Sequence, residues 1–148
     1  MRRGEPALAS SQLRIARLAS VLSLATGVIF GWGLLFGPFF YGCTSTAVAP
    51  GEAPAAEICR GSSLIEVQGN DLFPAPLLWI AMWSLAPALA VIGVWLTARP
   101  RVSLIVVAML MELTGIISLG GGILFALVIE PLLLITLVAS LRANREMG

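Results

Sequence analysis

The sequence contains no histidine and no lysine, and only 11% of its residues are charged. Without histidine the chain lacks the commonest metal ligand and the side chain that most readily carries protons near neutral pH. The net charge of +1 leaves no broad basic surface of the kind that binds nucleic acid. The two cysteines, Cys43 and Cys59, lack the C-x-x-C spacing of redox dithiols and zinc knuckles. We therefore expect no metal, no cofactor, no nucleic-acid partner and no thiol redox centre.

Apolar residues are abundant instead: they make up 58% of the 148 residues, and the mean hydropathy is +0.96. A soluble domain is about 45–50% apolar and about 25% charged. A chain of this length buries roughly two thirds of its surface on folding, so much of the apolar excess must face the solvent. The composition therefore predicts that lipid is the solvent.

Charges and turn residues divide the chain into four apolar segments, at residues 18–41, 73–97, 102–119 and 123–141. Each is close to the ~20 residues that cross a ~30 Å hydrocarbon layer as a helix. The segments are continuously apolar rather than alternating, which favours helices over barrel strands. We expect an all-α integral membrane protein, with residues 1–148 forming a single domain. It would be a four-transmembrane-helix bundle with one outer loop, residues 42–72.

The arginines predict how the chain is threaded. Eight of the nine lie outside the loop 42–72, in three clusters: Arg2, Arg3, Arg14 and Arg17; Arg99 and Arg101; Arg142 and Arg145. The loop itself has Arg60 and several acidic residues. Because arginine-rich segments stay in the cytoplasm, both termini and the connection near Arg99 are expected there. The expected location is the plasma or inner membrane of a cell.

The first apolar segment has two alternative interpretations as a removed targeting sequence. Its basic start fits a signal peptide, but its apolar run is far longer than the about 7–15 residues of such a segment. The stretch "FYGC" ends at Cys43, as a lipoprotein cleavage site would. Phe40 and Tyr41 are bulky where small or aliphatic residues are expected. A retained transmembrane span is favoured.

The outer loop contains both cysteines, and the compartment expected for it permits disulfides. A Cys43–Cys59 bond would close a loop of about 17 residues, worth on the order of 3 kcal/mol in the chain-entropy model. The stretches "STAV" and "SLIEV" contain β-branched residues, and a Gly-Asn turn signal follows the second. A short β-hairpin that pairs these two stretches is one way to order the loop.

Small residues at four-residue spacing let helix backbones approach closely in lipid. The candidate packing residues of this kind are Gly27, Gly31, Gly33, Gly37 and Gly115. Pro87 lies near the centre of the second segment, where it should kink the helix or free a carbonyl near Ala86. Trp79 and Trp83 share a helix face, and we interpret them as a packing stripe rather than as a ligand-stacking pair.

Two acidic residues, Glu112 and Glu130, interrupt the last two apolar segments. Each lies nine residues from Gly121, the expected apex of the connecting turn. Nine residues of helix span roughly 13–14 Å, so both carboxyl groups are expected near the middle of the bilayer. No cationic residue occurs in the apolar segments, so an ionised carboxylate would be costly and the neutral acid is expected. Two interpretations stay open: a neutral pair that joins two helices by hydrogen bonds, or a proton- or cation-handling site.

The sequence shows no nucleophile–base pair and no phosphate-binding loop, so an enzyme is not expected. The favoured function is a structural, accessory or assembly component that acts through helix contacts and the outer loop. The partners would be the lipid bilayer and a second copy of the chain or another membrane protein. The alternative is a small proton-coupled transporter that uses Glu112 and Glu130.

The size and helix count resemble those of the small multidrug transporters, which work through a membrane-embedded glutamate. That family carries the acid in its first span, whereas the segment 18–41 has none. No family is assigned on this resemblance. The arginine-only, alanine- and glycine-rich composition is typical of bacterial proteins from GC-rich genomes.

Overall fold

The computed structural model describes residues 5–44, 58–96, 99–117 and 122–147. Helices dominate these ranges, and a small antiparallel sheet accompanies them. In chain order the elements are α1 (Glu5–Phe36), β1 (Phe40–Thr44), β2 (Ile58–Ser62), α2 (Leu64–Gln68), a 3-10 turn (Gly69–Leu72), α3 (Ala75–Leu85), α4 (Pro87–Trp95), α5 (Val102–Ile117) and α6 (Gly122–Glu146).

Three helical segments of the described chain are long and apolar enough to cross a membrane. They are Ser10–Phe36, Ala75–Trp95, which combines α3 and α4, and Gly122–Glu146, whose most apolar 18-residue windows have mean hydropathies of 1.9, 2.1 and 2.5. They indicate a membrane-embedded protein. The remaining apolar helix, α5, corresponds to the predicted third span. It has 16 residues and is about 24 Å long, which is shorter than a ~30 Å hydrocarbon layer. Residues 118 and 119 of the predicted third span lie outside the described residues.

The first helix starts and ends earlier than the predicted span 18–41. It runs from Glu5 to Phe36, because the residues around Arg14 and Arg17 are mostly good helix formers. It ends where Gly37 and Pro38 follow, and the Gly37 N–H still donates to the Gly33 carbonyl at 2.6 Å. Proline cannot continue the helix, so the chain turns into β1 instead of crossing further.

β1 and β2 form a β-hairpin closed by a disulfide, but they are not the predicted strands. β1 pairs with β2 in antiparallel register, and Cys43 lies opposite Cys59. The disulfide joins these two residues, whose Cα atoms are 4.0 Å apart. The prediction that "SLIEV" forms a strand is wrong: Ser63 and Glu66 form a capping box, which starts helix α2. The stretch "STAV" lies outside the described residues.

Many large apolar side chains of the described helices are exposed, while α1 buries small ones. α1 buries a line of small side chains, Ala16, Ala19, Ser20 and Ser23, and packs most extensively against α6. Long apolar side chains such as Leu18, Ile29 and Leu127 are exposed instead. Without lipid this surface would be a large aggregation-prone patch. Close packing by small residues is the mode that lipid-embedded helices use.

Three polar contacts bring the arginine clusters to one end of the bundle. The Arg17 guanidinium lies over the Trp95 ring at 5.1 Å from its centroid, which joins α1 to α4. The Asn144 side chain donates to the Pro100 carbonyl at 2.9 Å, and Arg99 donates to the Met147 carbonyl at 3.2 Å. We call this end, with the start of α1, residues 99–101 and the end of α6, the arginine end. The β-hairpin follows the opposite end of α1.

Candidate functional site

The second membrane-crossing segment is broken in its middle. α3 ends at Leu85 and α4 begins at Pro87, whose ring nitrogen carries no hydrogen to donate to the preceding turn. The predicted polar spot at the Ala86 carbonyl is not free, since that carbonyl accepts from the Leu89 N–H at 3.0 Å. Ser84 takes its place as the polar residue of the break: its hydroxyl is buried and has no hydrogen-bond partner.

Helix α1 packs directly against this break through two of the predicted packing glycines. A Cβ atom on Gly27 would lie 2.8 Å from the Ser84 carbonyl oxygen and 3.3 Å from Ile129 of α6. A Cβ atom on Gly31 would collide with the Ser84 hydroxyl. Gly27 therefore marks the point along α1 where this helix contacts both the break and α6. Only a residue without a side chain fits there.

The other packing residues divide into two groups. A Cβ atom on Gly115 would lie 2.6 Å from the Gly122 carbonyl oxygen, so the backbones of α5 and α6 touch there. Gly33 and Gly37 do not contact another helix in this way; they lie against Phe39 in the turn that leaves α1. Pro87 marks the break itself. The sequence motif alone did not distinguish glycines at helix contacts from those at a helix end.

Glu112 lies on the core-facing side of α5, between Ala108 and Gly115. Its side chain is fully buried, and neither carboxyl oxygen has a hydrogen-bond partner. The hydroxyl of Thr114, two residues further along α5, is engaged elsewhere: it donates to the Met111 carbonyl at 2.6 Å and accepts from the Trp83 indole at 3.3 Å. The carboxyl of Glu112 is thus an uncompensated polar group in an apolar core.

Glu130 lies on the outer side of α6 and lines a groove between α5 and α6. The groove has a volume of about 380 Å³, and its other lining residues are all apolar: Met109, Leu113, Ile116, Ala126, Leu127, Pro131 and Leu134. One carboxyl oxygen of Glu130, Oε1, is buried without a hydrogen-bond partner. The next residue, Pro131, lies inside α6 and has no N–H to donate to the Leu127 carbonyl. We call this surface the Glu130 groove.

The two acids are neighbours in the fold but point to different environments. They are close enough to interact electrostatically, although neither donates a hydrogen bond to the other. Ile129 contacts Gly27 at the level of the α3–α4 break, and Thr114 contacts Trp83, the residue before Ser84. Glu112 and Glu130 therefore both lie near the level of the break. The expected apex of their connecting turn, Gly121, lies outside the described residues.

Ser84 and Gly122 are site residues that the sequence reasoning missed. Ser84 is the single hydroxyl of the apolar helix α3 and lies three residues before a proline, which is the sequence signal that singles it out. Gly122 lies in a run of three glycines and contacts both Gly115 and the Trp83 ring. The Trp83 ring also contacts the Phe125 ring, tilted by 42° with 6.0 Å between the ring centroids, which agrees with its interpretation as a packing residue.

Within the described ranges, no group of three or more His, Cys, Asp or Glu side chains is arranged to hold a metal ion. The polar atoms that remain without a partner near the break belong to Ser84, Glu112 and Glu130. Hydroxyl and carboxyl groups of this kind can transfer protons or form hydrogen bonds with a further partner. The chain matches no protein-family model, no curated protein and no solved structure.

Proposed function

We propose that the protein is a non-catalytic membrane component that assembles with another transmembrane helix through the Glu130 groove. The observation that carries this proposal is the position of Glu130, whose carboxyl lines an apolar groove on the outer surface with one buried oxygen unpartnered. A polar group in hydrocarbon without a hydrogen-bond partner is costly. A neighbouring helix that supplies a donor and an acceptor at this depth would remove that cost.

The occupant of the groove would be a helix with a polar side chain at mid-bilayer depth. A second copy of this chain meets the requirement, because a neutral carboxyl both donates and accepts and two Glu130 side chains can pair about a two-fold axis. A different membrane protein with an amide or hydroxyl at that depth meets it as well. Met109 is an adaptable lining residue, and Ala126 leaves room for a close backbone approach.

The proposal includes a threading in which four helices cross the plasma or inner membrane of a bacterial cell. In this threading α5 is the third span. Both termini would lie in the cytoplasm, since the arginine clusters share one end of the bundle. The disulfide-closed hairpin, at the other end, would lie in the compartment that permits disulfides. A labelling scan that finds position 99 outside the cell would overturn this threading.

Replacing Glu130 tests the groove directly. Glu130→Leu removes the hydrogen-bonding group and should weaken assembly roughly five- to thirty-fold, the equivalent of about 1–2 kcal/mol for a polar contact between membrane helices. Glu130→Gln keeps a donor and an acceptor and should assemble like the wild type. The measurement is the particle mass in lipid nanodiscs cut from expressing membranes. Ile29→Leu, on the outer surface of α1, is the control. Normal assembly of Glu130→Leu would contradict the proposal.

A small proton-coupled transporter is the second candidate, because the buried Glu112 carboxyl is unpartnered and lies close to Glu130. A proton could pass from one carboxyl to the other if water reached both. The assembly proposal expects purified wild-type protein in liposomes to leave an imposed pH gradient as stable as empty liposomes do. Faster dissipation that is lost in both Glu112→Gln and Glu130→Gln would establish transport instead.

A further inference from the structure

A second groove lies at the arginine end, between the start of α1 and the end of α4. Its volume is about 500 Å³, and it is lined by Arg14, Arg17, Leu18, Val21 and Trp95. Two guanidinium groups thus border a groove whose remaining walls are two aliphatic side chains and an indole. It is separate from the Glu130 groove, with which it shares no lining residue. We call it the arginine groove.

The Arg17 side chain is held in position, but its hydrogen-bonding capacity is not fully used. Its guanidinium lies over the Trp95 ring at 5.1 Å, and this contact fixes the side chain against α4. Its Nε atom is buried and has no hydrogen-bond partner. A guanidinium has five N–H donors in a planar fork that fits a phosphate or carboxylate. The Arg17 side chain therefore has a donor, Nε, without a partner beside the groove.

No acidic side chain compensates these two charges within the described part of the chain. Neither Arg14 nor Arg17 forms an ion pair with a described carboxylate. The sequence has no Asp or Glu between Glu5 and Glu52, so α1 itself offers none near the groove. Glu146, at the end of α6, is exposed and is not a lining residue. The groove is thus cationic along one edge.

The depth of the arginine groove matches a membrane surface. Arg17 lies 19 residues before Phe36, the last residue of α1, which is a distance of about 28 Å along the helix. The hydrocarbon layer is about 30 Å thick, so a bilayer with one boundary at Phe36 would have the other near Arg17. Trp95, at the end of α4, is of the residue type that favours this interface. Headgroup phosphates of that bilayer would lie near the depth of the two guanidinium groups.

We propose that the arginine groove binds an anionic phospholipid. The lipid phosphate would accept hydrogen bonds from Arg14 and Arg17, and an acyl chain would lie along Leu18 and Val21. Charge complementarity favours an acidic headgroup, since two uncompensated guanidinium groups border the site. Free phosphate would engage the arginines but leave the apolar walls uncovered, so the lipid fits both parts of the surface.

The test measures lipid retained by the purified protein in detergent, by native mass spectrometry after incubation with phosphatidylglycerol or phosphatidylcholine. The wild type should retain phosphatidylglycerol at least ten-fold more than phosphatidylcholine. The double variant Arg14→Gln with Arg17→Gln should lose that preference. The control removes the same charge at the same end with Arg101→Gln and Arg145→Gln, neither of which lines the groove, and should stay within two-fold of the wild type.

A second variant distinguishes loss of the lipid site from misfolding of the arginine variant. Val21→Trp fills the apolar part of the groove while both arginines remain, and it should reduce phosphatidylglycerol retention about as strongly. Equal retention of the two lipids by the wild type would overturn the proposal. Equal losses in the groove variant and the control variant would overturn it too, as would displacement of the lipid by 50 mM inorganic phosphate, added as a probe.

Discussion

Replacing Gly115 with valine is expected to lower the free energy of unfolding by about 3 kcal/mol, at the upper end of the cost of overpacking. The new Cβ would lie 2.6 Å from the Gly122 carbonyl oxygen and 3.0 Å from its carbonyl carbon. Both atoms are backbone and cannot rotate away, so α5 and α6 must separate. The measurement is reversible unfolding of the purified protein in mixed micelles, followed by circular dichroism.

Gly33→Val is the matched control for this prediction. Gly33 is also a helical glycine, but a Cβ atom there would meet only the Phe39 ring, at an ordinary contact distance of 3.4 Å. Both substitutions change helix propensity by the same amount, so propensity cancels in the comparison. Equal destabilisation by the two substitutions would show that α5 and α6 do not touch at Gly115.

Removing the disulfide is expected to release the β-hairpin while leaving the helices intact. The Cys43–Cys59 bond closes a loop with a sequence separation of 16 residues, and its loss should cost on the order of 3 kcal/mol of local stability. In a Cys43→Ser, Cys59→Ser variant, amide hydrogens of β1 and β2 should exchange much faster. Exchange in α6, which packs against other helices, should not change.

Hydrogen exchange with mass-spectrometric detection of each element separates these two responses. Reduction of the wild type should reproduce the effect of the double substitution, and reoxidation should reverse it. Unchanged exchange in β1 and β2 after reduction would mean that strand pairing alone holds the hairpin. Faster exchange throughout α6 would mean that the hairpin supports the whole bundle.

Features that depend on composition and local chemistry could be predicted from the sequence. The apolar segments, the Cys43–Cys59 bond and the break at Pro87 follow from hydropathy, from the compartment and from a missing N–H. The capping box at Ser63 and Glu66 could also be recognised in the sequence, as Ser-x-x-Glu. The β-branched residues nearby led to the prediction of a strand instead. Local hydrogen bonding of the helix start outweighed strand propensity there.

The rotation of each helix could not be predicted, because a helix that is apolar on all sides carries no amphipathic signal. For that reason the sequence could not separate Glu112, which faces the core, from Glu130, which lines an outer groove. The same limit applies to Gly27 and Gly33, which lie on different faces of α1. Only packing between helices decides which face is inside.

A photo-crosslinking residue at Leu127 tests most directly whether the Glu130 groove holds a partner helix. Leu127 is 66% exposed in the groove, and Ile29, the matched position on α1, is 69% exposed. In intact cells, position 127 should give one protein adduct of defined mass, which Glu130→Leu abolishes, and position 29 should give only lipid adducts. The same products at both positions, or an adduct at position 127 that persists in Glu130→Leu, would contradict the account.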